Sequence, residues 1–358
     1  MKQKNSLLEM FKFQYNKDFI CKRPFELVEL DSYGNIYLCF PRCNDKSYKI
    51  GNLYEANFEE ICKSELAINF KKDILSSTYS FCDFNYCAAP SLDLQLNAEN
   101  KNDLYDVIYP KELRLHIDNV CDIKCFMCRC DYIVHSNHEK EIINILIPRI
   151  VEMSKNAKTI FMNGNGEVFF SPVAKELILQ LTRNYPDLKF DLCTNGVKCT
   201  EDNIKKYNLD GRIESLSISL HAINEKTYKK IAIGGNFSKV IDNLKYIKQL
   251  KDDGKIKNVC LNFVVSSYNY KEMVSFLQFA IKNKFSAFFS ICNDYNVLNC
   301  AEFEKIAVFR ENHSKYNDLC KILQKDIFNS EYCILDNDIR YIRENYKPSR
   351  RFFSNLLR

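Results

Sequence analysis

"CDIKCFMCRC", residues 121–130, packs four cysteines into ten positions of a 358-residue chain that carries 17. Cys121, Cys125 and Cys128 follow a C-x3-C-x2-C rhythm, and Cys130 trails two residues behind. Such a stretch serves as a disulfide framework, a zinc site or the cradle of an iron–sulfur cluster. Composition narrows these choices. No N-terminal apolar run with a cleavage site precedes the stretch, and nothing approaches the ~18 uncharged apolar residues of a membrane span, so the expectation is a soluble cytoplasmic protein with no membrane partner. In a reducing cytosol an odd, closely grouped set of thiols suits metal ligation better than a full set of bridges. A structural zinc site is closed and usually draws on two paired knuckles. A [4Fe–4S] cube takes thiolates at its corners, so three from one loop leave one iron open to another ligand. Zinc and unliganded buried thiols stay open as alternatives on spacing alone.

Outward from that loop, short apolar or β-branched runs alternate with longer amphipathic stretches. "LRLHID" (113–118), "KTIFMN" (158–163), "LKFDLC" (188–193), "IESLSISL" (213–220), "NVCLNFVV" (258–265) and "SAFFSI" (286–291) read as strands, with helical patterns such as "NFSKVIDNLKYIKQLKDDG" between them. This alternation predicts an α/β fold with a parallel sheet and crossover helices, either open and doubly wound or a partial barrel. In both, chemistry gathers at the C-terminal ends of the strands. The cysteine loop directly follows the first of these strands. The net charge of +5 is spread over interleaved Lys and Asp/Glu, so no nucleic-acid partner is expected. The basic end, "KPSRRFFSNLLR", reads as a solvated tail.

Three later pieces add to the site. "MNGNGEVFFSP" (162–172) follows the second strand; Gly164 and Gly166 permit close backbone approach and Glu167 offers a carboxylate suited to a ligand ammonium, although an ordinary turn has the same composition. "TNG" (194–196) ends the third strand. "SLSISLHA" (215–222) puts Ser217, Ser219 and His221 on one face of the fourth, where buried polar groups need partners.

In this order the motifs resemble the radical S-adenosylmethionine (SAM) superfamily, over roughly residues 110–295. The resemblance implies a partial (β/α)6 TIM-like barrel, with Cys121, Cys125 and Cys128 holding three irons of a [4Fe–4S] cluster and SAM chelating the fourth. Reductive cleavage of SAM would then give a 5′-deoxyadenosyl radical that abstracts a substrate hydrogen. Gly164, Gly166 and Glu167 match the motif that binds the SAM ammonium; Ser219 and Asn262 match positions that contact its carboxylate or ribose. Met127 fills the slot before the third cysteine that packs on adenine and is often aromatic in the family; here Phe126 stands one position early, and Val168 replaces the usual proline after the glutamate.

The first hundred residues carry a second cysteine set. "CKRPFELVELDSYGNIYLC" (21–39) brackets a glycine turn, "YKIGNLYEANFEEICKS" (48–64) reads as a turn entering a helix, and "CDFNYC" (82–87) follows. This stretch resembles the SPASM auxiliary-cluster domain, which normally lies after the barrel. The resemblance implies one auxiliary [4Fe–4S] cluster on Cys21, Cys39, Cys82 and Cys87, with Cys43 as alternate ligand, a zinc knuckle as the rival, and Phe25 and Leu53 among its apolar neighbours.

Cys62, Cys260, Cys320 and Cys333 lie in apolar contexts and read as core thiols. Cys193, at the end of the third strand, is the candidate hydrogen-atom donor, with Cys292 and Cys300 behind it. The expected divisions are 1–105 as the SPASM-like domain, a small cysteine-rich α+β unit, 106–295 as the barrel and 296–358 as helices capping its mouth. Function is expected to be that of a radical SAM enzyme acting on a peptide or protein, maturase-like, or else on a sugar or small metabolite, with ferredoxin or flavodoxin as electron donor. The rival is a non-catalytic iron–sulfur or zinc electron carrier or scaffold.

Overall fold

The six runs read as strands become the heart of a single sheet. The structure, a computed structural model, describes residues 20–39, 48–82, 109–135, 138–162, 166–293 and 297–346. In chain order its strands are β1 (Leu27–Leu30), β2 (Asn35–Tyr37), β3 (Gly51–Asn52), β4 (Glu112–Leu115), β5 (Lys124–Cys125), β6 (Thr159–Met162), β7 (Lys189–Thr194), β8 (Ile213–Ser219), β9 (Ala232–Ile233), β10 (Ile256–Val265), β11 (Ser286–Ile291) and β12 (Cys333–Leu335). Ten of them line up as β12-β11-β10-β8-β7-β6-β4-β1-β2-β3, while β5 and β9 pair apart. From β4 to β11 every pairing is parallel, as crossover helices require. No strand closes the ring among the described residues, so the barrel is partial.

Alternation along the strands explains how the sheet is used. On one face Phe190, Leu192, Leu216, Ile218, Leu261, Phe263, Ala287 and Phe289 are buried under the helices. The opposite face carries Cys193, Ser217, Ser219, Cys260, Asn262 and Ser290, which stay partly accessible in the lumen. Each crossover helix meets the sheet through apolar side chains at three- and four-residue spacing. Pro172–Asn184 buries Val173, Ala174, Leu177, Ile178 and Leu181, and it starts at Ser171, whose hydroxyl accepts from Ala174 N. Phe237–Asp252 buries Val240, Leu244, Ile247 and Leu250 and is capped by Asn236.

At the β4 side the sheet continues into the N-terminal region. Strand β1 pairs parallel to β4 with Leu27 opposite Glu112 and Leu30 opposite Leu115, and β2 and β3 add antiparallel beyond it. Thus the cysteine-rich region has strands and helices (Phe58–Cys62, Glu65–Leu75) as expected, but they extend the barrel sheet instead of building a sheet of their own. An unpaired β4 would expose a row of backbone donors and acceptors, which β1 covers. Inside the joint, Arg114 Nε stands 3.8 Å from Glu29 Oε1, and Glu29 is only 1% exposed. The glycine turn between the first cysteines is a β1–β2 hairpin, with Gly34 at φ +79° and Asp31 accepting from the amides of Tyr33 and Asn35.

The C-terminal region departs from the expected cap. Helix Cys300–Ile306 does lie near the strand ends, since Ser267, just after β10, donates its amide to Ile306 O and its hydroxyl to Lys305 O. Helices Tyr316–Leu323 and Asn337–Asn345 instead flank the β11 edge, and between them Cys333 and its neighbours form β12, parallel to β11. "YCIL" is too short a run to stand out from helix in the sequence; the free edge of β11 recruits it.

Candidate functional site

Strand β4 delivers the chain into a loop that its own backbone folds tight. Cys121 N donates to Ile133 O at 2.7 Å, Cys125 pairs with Ala232 across β5 and β9, and Cys128 N donates to Cys125 O at 3.0 Å. Cys121 is buried, Cys125 half-buried and Cys128 exposed. All three open onto a cavity of about 280 Å³ at the C-terminal ends of the strands. Burial pushes the Cys121 thiol up to about 11; burial and then its two neighbour thiols push Cys125 up to about 12. Thiols held protonated by burial become thiolates when a cationic centre replaces their protons. Among the described residues no three His, Cys, Asp or Glu side chains converge on a single ion. Three thiols spaced around a cavity fit the corners of a cluster better than a closed zinc tetrahedron.

The second strand's loop forms the facing wall. Gly166 and Glu167 line the cavity, and Glu167 N donates to Val120 O at 2.8 Å, stitching this loop to the cysteine loop. A β-carbon on Gly166 would stand 2.7 Å from Asp118 Oδ1 and 2.8 Å from Val120 O, so only glycine fits. Asp118 is itself fixed by the Ser171 hydroxyl, which donates to it. The Glu167 carboxylate is buried and accepts from Thr194 Oγ1 and Asn195 N, each at 2.6 Å, and from Phe169 N at 3.2 Å. Burial nevertheless raises its pKa to about 7, the bonds from Asn195 and Thr194 only partly offsetting it. A bound cation beside it would restore the charged form.

The "TNG" turn is a clasp whose role the sequence left unstated. Asn195 donates through Nδ2 to Asp122 Oδ1 at 2.8 Å and approaches Cys121 Sγ at 3.9 Å, while its amide holds Glu167. One residue thereby joins the cysteine loop to the carboxylate. Gly196 adopts φ +82° with Ile218 and Val240 against it.

Ser219, Cys193 and Met127 also line the cavity, as do Cys292 and His221. Burial pushes the Cys193 thiol up to about 11, with Ser219 Oγ 4.0 Å away. His221 sits at φ +59°; its Nδ1 accepts from Val264 N at 3.2 Å, and burial lowers its pKa to about 4. It is a neutral imidazole with its proton on Nε2, a hydrogen-bonded residue that also lines the cavity. Phe126 turns away onto Tyr268, edge-to-face at 5.2 Å, which leaves Met127 at the cavity. Asn262 lies on the lumen face but not on the cavity wall: its Oδ1 accepts from Cys260 and its carbonyl from His221 N. Gly164 lies outside the described residues. Thr194 and Asn195 of the "TNG" turn line the cavity, as do Arg129, Ser290 and Asn293, which no motif of the sequence marked.

In the N-terminal region Cys21 is buried, and Cys39 and Cys82 are half-buried on the same core. Tyr79 brings two of them into relation. Its phenol is raised first by burial, and both Cys82 and Cys21 act on it although 61 residues separate them in the chain. Phe25 and Leu53 are buried in that core. Cys43 and Cys87 lie outside the described residues.

Comparison with known proteins adds two family matches and several relatives. Residues 116–280 match the Radical SAM superfamily, and residues 21–88 match the SPASM iron–sulfur cluster-binding domain. A probable GTP 3',8-cyclase of Saccharolobus islandicus is 29% identical over 171 residues, 47% of this chain and 52% of the relative. One of Methanocaldococcus jannaschii is 25% identical over 175 residues, again 47% of this chain and 54% of its own. The chain thus spans about half the length of the curated relatives it matches. Among solved structures, Streptococcus suis SuiB aligns over 90% of this chain and 71% of its own with a TM-score of 0.43 and 15% identity. The enzyme anSMEcpe with bound AdoMet aligns over 63% and 61%, at 0.41 and 18%.

Proposed function

With residues 116–280 in the radical SAM superfamily and residues 21–88 in an iron–sulfur cluster-binding domain, we propose that this chain reductively cleaves S-adenosylmethionine and takes a hydrogen atom from a peptide or protein. The observation that carries the proposal is one cavity walled both by Cys121, Cys125 and Cys128 and by Glu167, Ser219 and Cys193. A mere electron carrier needs the thiols but has no use for the carboxylate, the hydroxyl or the lumen. When bound, the cluster and SAM supply a 5′-deoxyadenosyl radical.

The chain's own residues then do the following. Cys121, Cys125 and Cys128 hold the cluster and leave one corner to SAM. Glu167, kept in place by Thr194 and Asn195, accepts the SAM ammonium. Met127 offers the adenine an apolar surface, and Ser219 a hydroxyl to the carboxylate or ribose. Cys193, protonated at neutral pH, donates a hydrogen atom to the substrate radical; the thiyl left behind is restored by one electron and one proton. The electron would come from a ferredoxin- or flavodoxin-like donor; Cys21, Cys39 and Cys82, with Cys87, would hold an auxiliary cluster able to supply electron-transfer chemistry. A small metabolite is the second substrate reading, favoured by relatives named for a nucleotide substrate. Anaerobically reconstituted protein with dithionite should convert SAM to 5′-deoxyadenosine and methionine in the absence of substrate. A reduced, iron-loaded protein that leaves SAM intact would overturn the proposal.

A further inference from the structure

Arg129 stands immediately after the third cysteine of the loop and belongs to no motif of the sequence. Two hydrogen bonds tie its guanidinium to the loop. Nη1 donates to Asn119 O at 2.7 Å, and Nη2 donates to Cys128 Sγ at 3.6 Å. The side chain also lines the cavity, and among the described residues it is the cation that acts on Cys121 and Cys125; Glu167 and Asp122 act on Cys121 in the opposite sense. We propose that Arg129 sets the reduction potential of the cluster held by Cys121, Cys125 and Cys128. This rests on the cluster assignment made above.

The physical reason is direct. Reduction adds one electron to a centre already surrounded by three thiolates and two nearby carboxylates. A fixed positive charge makes that addition easier, and a hydrogen bond to a ligand sulfur draws density off the thiolate; both raise the potential. The planar fork matters because it reaches a carbonyl and a sulfur at once, which an ammonium on a single stem cannot do with the same geometry. Asn119 fixes the guanidinium so that the bond to sulfur is preorganised.

The test is an EPR-monitored redox titration of reconstituted protein without SAM, following the signal that later addition of SAM perturbs. Arg129→Gln and Arg129→Lys are compared with wild type at equal iron content. At the potential that half-reduces the wild type, Arg129→Gln should show at least tenfold less reduced per oxidised cluster, ~59 mV for a one-electron couple. Arg129→Lys, which keeps the charge and loses the fork, should fall between. An iron-loaded Arg129→Gln with an unshifted ratio overturns the role. Loss of iron from both variants overturns it too, since the side chain would then only fold the loop. A wild type without any SAM-sensitive signal would sink the SAM reading itself, and this one with it.

Discussion

Glu167 lies at the cavity wall with both carboxylate oxygens accepting hydrogen bonds, from Thr194, Asn195 and Phe169. Its carboxylate is fully enclosed, and its pKa is raised to about 7 by burial. In the unfolded chain it ionises near the ordinary glutamate value, so the fold is penalised once the pH exceeds that value. The stability contribution is unaffected below pH ~4.3, falls as pH rises toward 7, and levels off above it, a loss of roughly 3 kcal/mol in all. A cation bound beside the carboxylate reverses the effect. SAM affinity should therefore increase between pH 6 and 8, with protons released on binding, both measurable by calorimetry in buffers of different ionisation heat. Glu167→Gln should flatten that profile and weaken SAM by about 1.5–3 kcal/mol, the worth of a hydrogen bond to a charged group. A variant with unchanged affinity would assign the carboxylate to the turn alone. The motif "GNGE" was legible as a glycine–carboxylate loop, but the clasp on its two oxygens was not, because Thr194 and Asn195 are 27 and 28 residues away.

Strand β1 is the element on which the join between the two cysteine sets depends. It covers the β4 edge, whose Leu113 and Leu115 are buried, and Arg149 donates to the carbonyls of Leu53 and Ala56 to fasten the next segment to helix Ile147–Met153. A chain starting at residue 106 would present β4 as an open parallel edge with its apolar flank uncovered. Such a chain should aggregate or elute as large oligomers on size-exclusion chromatography, while the full chain stays in solution. A monodisperse, iron-binding fragment would show that the barrel does not need β1. The strand falls within "CKRPFELVELDSYGNIYLC", where the sequence reading marks only a glycine turn. Its partner is not marked there either, since nothing local distinguishes pairing with β4 from pairing within a separate small sheet.

For the whole molecule the decisive quantity is metal content. Two [4Fe–4S] clusters correspond to about eight irons. Replacing Cys121, Cys125 and Cys128 together by Ala should remove about half of the iron and abolish SAM cleavage. Replacing Cys21, Cys39 and Cys82 together should remove the other half and spare SAM cleavage, because the barrel's own loop is untouched. Iron and acid-labile sulfide assays with a 5′-deoxyadenosine assay read both outcomes. If the second triple variant keeps all its iron, the N-terminal cysteines are core thiols packed around Tyr79.

Local pattern in the chain marks six strands with helices between them, the loop that carries the three thiols and a glycine–carboxylate loop after the second strand. Apolar alternation, cysteine spacing and the run Gly164, Gly166, Glu167 carry that signal; that a β-carbon on Gly166 would strike Asp118 and Val120 is visible only in the fold. How those pieces meet is settled by the fold. It placed Asn195 between Glu167 and Cys121, turned Phe126 away and left Met127 at the cavity, withdrew Asn262 from the wall, and fused the N-terminal hairpin to the barrel sheet. Each of these depends on contacts between residues far apart in the chain. Edge satisfaction and side-chain packing choose those contacts, and no spacing along the chain encodes them.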